Sequence, residues 1–298
     1  MDITLPKTKS RKLQKAFKPT VLRRISQIGF LTFIIVIATI HFLAGETSSN
    51  LTASAEAFCP FGGLESLYTF IASGGQTVPH THLSNLVVLG ALLITALLLR
   101  NAFCGWVCPL GFLQDLIYNL RRTLEKRFPS LRRGLRSLQR RVPAKLAAGL
   151  DHWLRFVKYG VLAWAVIGAG VYGVMVFRDY DPWATLLNVA ELTFTPGLIV
   201  LGITLIASFF VERPWCRYAC PLGAASGLVG ALSPVYLKRN EGTCKVCQNC
   251  TRSCPMGLPV HTADTIKSPD CIGCLECVSS CPYDGAMEVK LGVPIIGR

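Results

Sequence analysis

The sequence predicts an all-α membrane domain of four transmembrane helices, followed by a small α+β domain at the carboxyl end. Three observations support this fold class. The 298 residues are 51% hydrophobic and only 16% charged, whereas soluble domains carry about 25% charged residues. Four apolar runs lie between residues 25 and 211, and eight of the 13 cysteines fall in two copies of one motif near the end. The composition excludes a disordered chain, and the odd cysteine count argues against a complete disulfide framework.

The four apolar runs predict membrane-spanning helices at residues 25–44, 83–99, 159–177 and 196–211. A helix needs about 20 residues to cross a bilayer, so the last run, with 16, has to borrow neighbouring residues or tilt. One such run alone could be the core helix of a globular protein, but four together favour a membrane domain. The first run is too long for a signal peptide, so we expect it to be retained.

The distribution of basic residues predicts the orientation of these helices. Of the 31 lysines and arginines, 30 lie in segments on the side of the two termini, and the other side holds only Arg178. This bias predicts that both termini lie in the cytoplasm. The net charge of +14 then follows from topology, and nucleic acid is not expected as a partner. The predicted segments are a basic amino terminus, a membrane domain and a small domain, over 1–24, 25–237 and 238–298.

Two cysteine motifs near the carboxyl end carry the most specific chemistry. Each has the pattern C-x2-C-x2-C-x3-C-P, and the second begins 27 residues after the first. Two-residue spacing lets one tight loop direct three thiolates at a [4Fe–4S] cluster, while the fourth cysteine reaches the other cluster. The two predicted ligand sets are Cys244, Cys247, Cys250 and Cys281, and Cys271, Cys274, Cys277 and Cys254. The alternative is a pair of structural zinc sites, which use separated C-x2-C pairs.

An internal repeat lies at the ends of two of the predicted helices. Phe103–Gly111 aligns with Trp215–Gly223 at an offset of 112 residues, and both copies contain C-x3-C-P. The membrane domain is therefore predicted to consist of two helical hairpins in the same orientation, which form a parallel repeat.

The repeat contributes four further cysteines, Cys104, Cys108, Cys216 and Cys220, within residues 104–109 and 216–221. If each helix continues through its motif, the two thiols of a pair share one helix face. Three interpretations stay open: a further cluster or soft-metal site, a redox-active dithiol pair, or reduced cysteines that pack helix ends.

These features together resemble a known family. Four helices, two C-x3-C-P motifs and a terminal two-cluster ferredoxin domain are similar to the NapH/MauN type of membrane ferredoxin, with related modules in NosR and the CcoG-like proteins. The resemblance extends from about Leu22 to about Val289. It implies a subunit that exchanges electrons with membrane quinol and passes them through [4Fe–4S] centres to partner subunits of a larger complex. The chain would then be the electron-transfer subunit of a quinol-linked oxidoreductase in a bacterial cytoplasmic (inner) membrane.

Two other functions stay open beside electron transfer. The chain could be a metal-handling or cofactor-maturation reductase of the CcoG-like kind, in which the C-x3-C-P thiols receive a soft metal such as copper. It could also be a redox-sensing membrane regulator. The stretch Phe58–Glu65, which includes Cys59, is not a feature of NapH subunits, so the terminal acceptor and the role of Cys59 stay unassigned. No catalytic or quinone-binding residue is assigned.

A basic segment between the second and third helices suggests a further contact. Leu131, Leu135 and Leu138 fall on one helical face and are surrounded by arginines. This pattern is typical of a helix that lies on anionic lipid headgroups. The alternative is a docking surface for an acidic electron-transfer partner.

Overall fold

The computed structural model describes residues 19–44, 63, 67, 83–140, 143–172, 176–187 and 195–292. The basic residues 1–18 and Cys59 lie outside the described residues, as does most of the segment predicted to connect the first two helices.

The described residues are mainly helical. In chain order the helices are α1 Pro19–Ala44, α2 Leu83–Leu99, α3 Ala102–Trp106, α4 Pro109–Arg127, α5 Pro129–Arg140, α6 Ala144–Tyr172, α7 Pro182–Leu187, α8 Pro196–Phe210, α9 Pro214–Tyr218, α10 Pro221–Ala231, α11 Asn249–Arg252 and α12 Glu276–Ser279. A 3₁₀ turn over Arg178–Tyr180 precedes α7. Several of these helices begin with proline, whose fixed φ suits the first helical turn.

The four apolar runs of the sequence correspond to α1, α2, α6 and α8. The largest difference is at α6, which begins at Ala144 instead of 159. Its first turns mix leucines with Lys145, Asp151 and Arg155, so they form a helix without forming a continuous apolar run. The helical prediction for these segments therefore agrees with the structure, although the bounds differ.

Long apolar faces on these helices are exposed in the isolated chain. The exposed fraction of the residue surface is 62% for Ile25 on α1, 71% for Val171 on α6 and 68% for Ile199 on α8. Monomeric soluble proteins rarely expose contiguous apolar surface on this scale. By length and composition, two described segments could cross a membrane, Pro19–Ile37 and Gly149–Tyr172, whereas α2 and α8 are shorter apolar helices.

The carboxyl-terminal part forms a small antiparallel sheet. Its strands are β1 Val235–Arg239, β2 Thr265–Ile266 and β3 Met287–Leu291, in the order β2-β1-β3. Leu237 on the central strand pairs with Ile266 on one side and Val289 on the other. Leu237, Ile266 and Met287 are buried in one core with several cysteines. The predicted α+β character of this part is thus present, with cysteine-bearing segments packed against the sheet.

The described residues divide into two compact units. The first comprises those within 1–36, 90–109 and 225–298, and the second comprises those within 37–89 and 110–224. The cysteine-rich end of the chain therefore belongs to one unit with parts of α1 and α2 and with all of α3.

The second unit contains a buried ion pair and a buried carboxyl. Arg213, in the left-handed conformation at φ 52°, directs the chain from α8 into α9. Its guanidinium makes two bonds of 2.6 Å to the carboxylate of Asp115 on α4. At the start of α7, the carboxylate of Asp181 accepts the Trp183 N–H at 3.0 Å, and burial raises the pKa of Asp181 to about 6.

Candidate iron–sulfur centres

Two cysteine loops of the first unit share one backbone conformation. We call Cys244–Cys250 the first loop and Cys271–Cys277 the second loop. Val246 and Gly273, at the same position of each loop, have φ of 51° and 58°. Gln248 and Leu275, also 27 residues apart, have φ of 61° and 57° and precede the short helices α11 and α12. The sequence repeat is therefore also a structural repeat.

The left-handed residues make these loops suited to an anionic group. A non-glycine residue in this region costs about 1–2 kcal/mol, and for a β-branched residue such as Val246 it is a true outlier. Such strain persists where the surroundings fix the backbone, as they do at ligand sites. Left-handed residues beside right-handed ones turn successive N–H groups into concavities that bind phosphates and iron–sulfur clusters. The backbone thus fits the cofactor that the spacing predicts.

A cavity in the first unit brings one predicted ligand set together. Cys254, Cys271, Cys274 and Cys277 all line it. The remaining lining residues are apolar: Leu237, Met256, Leu258, Val260, Ile266, Ile272 and Leu275. Three thiols from the second loop thus share an apolar cavity with the fourth cysteine of the first motif. Within the described part of the chain, no three His, Cys, Asp or Glu side chains converge on a position for a single metal ion.

The electrostatics of the cavity oppose free thiolates. Burial raises the pKa of Cys274 to about 12 and also raises that of Cys277. The neighbouring sulfurs add to the effect at Cys277, because negative charges close together repel. A metal centre removes this cost, since a coordinating thiol is deprotonated outright. The cavity therefore suits thiolates that are bound to iron and disfavours unbound ones.

A serine pair joins the two motifs at equivalent positions. Ser253 and Ser280 directly precede the fourth cysteine of each motif, and their hydroxyl oxygens lie 2.6 Å apart. They are separated by 27 residues, so each serine bonds to its own counterpart in the repeat. This contact fixes the backbone next to Cys254 and Cys281, the fourth cysteines of the two motifs, at equivalent positions of the repeat. The sequence could have indicated this serine pair, because a serine precedes the fourth cysteine in both copies of the motif.

The first-loop cysteines lie closer to the surface than those of the second loop. Cys244 is half-buried, Cys247 is exposed and Cys250 is buried. The guanidinium of Arg239 lies beside Cys244, and this contact raises the pKa of Arg239. The Cys281 thiol lies 3.5 Å from the Tyr283 carbonyl oxygen.

Helix α3 of the first unit packs directly on the second loop. The indole N–H of Trp106 donates to the carbonyl of Gly273 at 3.0 Å. A Cβ atom placed on Gly105 would lie closer than 3.0 Å to the carbonyl oxygen of Ile272, so only glycine permits this approach. Cys104 is buried in the same apolar core as Cys271 and Cys274. Sequence analysis identified the motif around Cys104 but not its contact with the second loop.

Arg23 and Arg100, which fit the charge distribution of the predicted membrane topology, also form hydrogen bonds to α3 and around the second loop. The Arg23 guanidinium donates to the Gly105 carbonyl at 2.9 Å and to the Glu276 carboxylate at 2.9 Å. The Arg100 guanidinium donates to the carbonyls of Ile266 and Ser268, at 2.5 and 2.9 Å. The segment that leads into the second loop is thus fixed by side chains from distant parts of the sequence.

The two C-x3-C-P motifs have the same local structure. Helix α3 ends before Cys108, whose N–H bonds to the Phe103 carbonyl at 3.1 Å. Helix α9 likewise ends before Cys220, whose N–H bonds to the Trp215 carbonyl at 2.9 Å. Neither helix continues through its C-x3-C-P motif, because the proline after the second cysteine starts a new helix. The condition under which the two thiols of a pair would share one helix face is therefore not met.

The thiols of these motifs are mostly buried. Cys104 and Cys108 belong to the first unit, and Cys216 and Cys220 belong to the second. The side-chain amide of Gln114 lies 3.5 Å from the Cys216 sulfur, and burial raises the pKa of that thiol. The proposal that the four sulfurs form one site stays a prediction.

Comparison with known families identifies iron–sulfur domains in both parts of the chain. A family described as a 4Fe-4S binding domain matches residues 81–127 and again 193–240, and these segments contain the two C-x3-C-P motifs. A family described as a 4Fe-4S dicluster domain matches residues 236–282, which contain the two loops.

Relatives of this chain are described as an electron transport protein, a ferredoxin-type protein and a regulatory protein. The "Putative electron transport protein YccM" of Escherichia coli (strain K12) is 32% identical over 94% of this chain and 78% of that protein. The "Ferredoxin-type protein NapH" of Haemophilus influenzae is 32% identical over 66% of each chain. The "Regulatory protein NosR" of Pseudomonas aeruginosa is 29% identical over 60% of this chain but only 23% of its own length. No solved structure matches this chain.

Proposed function

The chain belongs to the NapH/NosR-type membrane ferredoxins, and on that basis we propose that it passes electrons between the membrane quinone pool and a redox partner. The binding of 4Fe-4S clusters is the property that its matched domain families share, and one relative is described as an electron transport protein. The observation that carries the proposal is the apolar cavity lined by four cysteines of the two motifs.

We propose two [4Fe–4S] clusters with exchanged fourth ligands. Cys271, Cys274, Cys277 and Cys254 would hold one cluster, and their shared cavity supports this set. Cys244, Cys247, Cys250 and Cys281 would hold the other, and the matching backbone of the first loop supports it. When bound, each cluster supplies one-electron redox chemistry. The protein contributes the apolar lining, which excludes water and thereby influences the reduction potential.

For the membrane part, we propose four spans in two parallel hairpins with both termini cytoplasmic, over residues 25–237, and a ferredoxin domain over 238–298. The exposed apolar faces of α1, α2, α6 and α8 support contact with lipid. The distribution of lysine and arginine supports the orientation. The repeated match to one iron–sulfur family supports the internal repeat.

Helix α5 is proposed to lie at the cytoplasmic headgroup region. Arg132 and Arg133 are exposed on it, while Leu131 and Leu135 are partly buried. A polar arginine-rich face opposite an apolar one matches a helix in the plane of an anionic membrane surface.

The proposal is tested by reducing the anaerobically purified protein with menaquinol and following the visible and electron-paramagnetic-resonance signals of the clusters. We expect reduction by menaquinol, with about eight iron and eight sulfide per chain. The Cys274→Ser variant should lose about half of both. Reduction by dithionite but not by menaquinol, together with stoichiometric copper bound to the C-x3-C-P thiols, would instead favour a metal-handling reductase.

A further inference from the structure

The two cysteine loops share a backbone conformation but lie in opposite surroundings. Val246 in the first loop keeps 56% of its surface exposed, whereas Ile272 and Cys274 in the second loop keep 3% and 9%. All five residues between Cys244 and Cys250 are exposed: Lys245, Val246, Cys247, Gln248 and Asn249. The shared cysteine spacing does not indicate this difference, whereas the residues between the cysteines do, since Lys245 and Gln248 correspond to Ile272 and Leu275.

The second loop is buried because the first unit covers it with its own residues. Gly105 and Trp106 of α3 contact the backbone of Ile272 and Gly273. The Arg23 guanidinium then joins α3 to Glu276 of the second loop. This surface is therefore closed to a second protein, while the corresponding residues of the first loop are open.

The exposed first loop also carries more positive charge than the buried second loop. Lys245 is the charged side chain between Cys244 and Cys250, and Arg252 follows the loop. Both are exposed. The residues 27 positions later are Ile272 and Ser279, which carry no charge. Exposed positive charge thus accompanies the first loop, whereas Arg23 and Arg100 beside the second loop are buried and bonded to Glu276 and to backbone carbonyls.

From this asymmetry we propose that the first loop is the docking point for a soluble redox protein with an acidic rim, and that the second loop serves the internal cluster. The inference rests on the proposed function, since it takes the eight cysteines as ligands of two clusters. One electron passes to or from a one-electron centre of the partner, and no bond forms or breaks. Electron-transfer complexes use small interfaces, which complementary charge orients.

The first test measures cluster accessibility without using activity. The oxidised protein is treated with bathophenanthroline disulfonate, alkylated with iodoacetamide at intervals and mapped by peptide mass spectrometry. We expect Cys244, Cys247, Cys250 and Cys281 to become alkylated with the first half of the iron released. The second set, Cys271, Cys274, Cys277 and Cys254, should follow with the second half. Simultaneous labelling, or the opposite order, would overturn the assignment of the open loop.

The same experiment separates this inference from the proposed function. If all eight thiols react before any chelator is added, and the protein holds no acid-labile sulfide, the two-cluster proposal itself fails. If acid-labile sulfide is present but the labelling order is reversed or simultaneous, the two-cluster proposal stands. Only the assignment of the first loop as the accessible one is then overturned.

The second test measures charge at the open loop. Dithionite-reduced protein is reoxidised by ferricyanide, an anionic acceptor, or by hexaamminecobalt(III), a cationic one. Lys245→Gln should slow the ferricyanide reaction about threefold at moderate salt and speed the cobalt reaction. Lys238→Gln, on the exposed side of β1, is the matched control and should change neither rate. Equal effects of the two variants would overturn the proposed docking point.

Discussion

The close approach of α3 to the second loop predicts a large effect of adding one methyl group. In Gly105→Ala, the new Cβ would lie under 3.0 Å from the Ile272 carbonyl oxygen. Because the obstacle is backbone, it cannot rotate away as a side chain would. Helix α3 or the second loop therefore has to move by a large fraction of an ångström.

The energetic cost follows from the contacts that this movement breaks. The bond of 3.0 Å between the Trp106 indole and the Gly273 carbonyl would exceed hydrogen-bonding distance. Losing one such bond costs about 1 kcal/mol, and overpacking a buried contact costs about 1–3 kcal/mol. We expect a total of about 2–4 kcal/mol, which lowers the unfolding midpoint by about 5–15 °C.

The assay is thermal unfolding of the anaerobically purified protein in detergent, followed by cluster absorbance. Gly134→Ala is the matched control, since a Cβ at Gly134 in α5 meets no atom within 4 Å. Alanine there should stabilise the helix by up to about 1 kcal/mol. Gly105→Ala should also release iron faster than the parent protein. The reasoning is refuted if Gly105→Ala unfolds at the same temperature as Gly134→Ala and retains iron equally well.

Three further predictions concern backbone strain, a clamp and a buried carboxyl. Val246→Gly should stabilise the protein by about 1 kcal/mol in denaturant unfolding, because it relieves a left-handed β-branched residue; a loss of stability would contradict this account. Arg100→Ala should destabilise the second loop, seen as faster iron release, since the Ile266 and Ser268 carbonyls lose their donors; Arg252→Ala, at an exposed site, should not. Burial raises the pKa of Asp181 to about 6, so its charged form opposes folding and stability should fall as pH rises from about 4 to about 6. Asp181→Asn keeps an acceptor for the Trp183 N–H and should remove that decrease, as measured by unfolding at several pH values.

The parts of the site that the sequence predicts are those that depend on local spacing. The C-x2-C-x2-C pattern limits the loop to a tight conformation, and the doubled copy predicts that the fourth cysteine is exchanged. The cavity that contains Cys254 with Cys271, Cys274 and Cys277 supports that prediction. The apolar runs of α1, α2, α6 and α8 likewise predict helices, because hydropathy is read over neighbouring residues.

The parts that the sequence does not predict depend on contacts between distant segments. Gly105 and Ile272 are separated by more than 160 residues, and nothing near either of them indicates the other. Arg23 and Arg100 are also ambiguous, because a single arginine can set membrane topology and hold a carbonyl at the same time. The start of α6 is missed for a simpler reason: its charged first turns hide a helix that hydropathy does not detect.

The contact between α3 and the second loop also has a consequence for how the protein matures. Arg23 and Gly105 are synthesised long before Ile272, so this contact can form only after the second loop itself has been synthesised. Once it forms, it covers the second loop, so under the two-cluster proposal iron and sulfide have to reach that loop before the contact closes. The first loop stays open afterwards and can be refilled if oxygen destroys its cluster. We expect the two centres to differ in repair, with the inner one installed once and the outer one renewable.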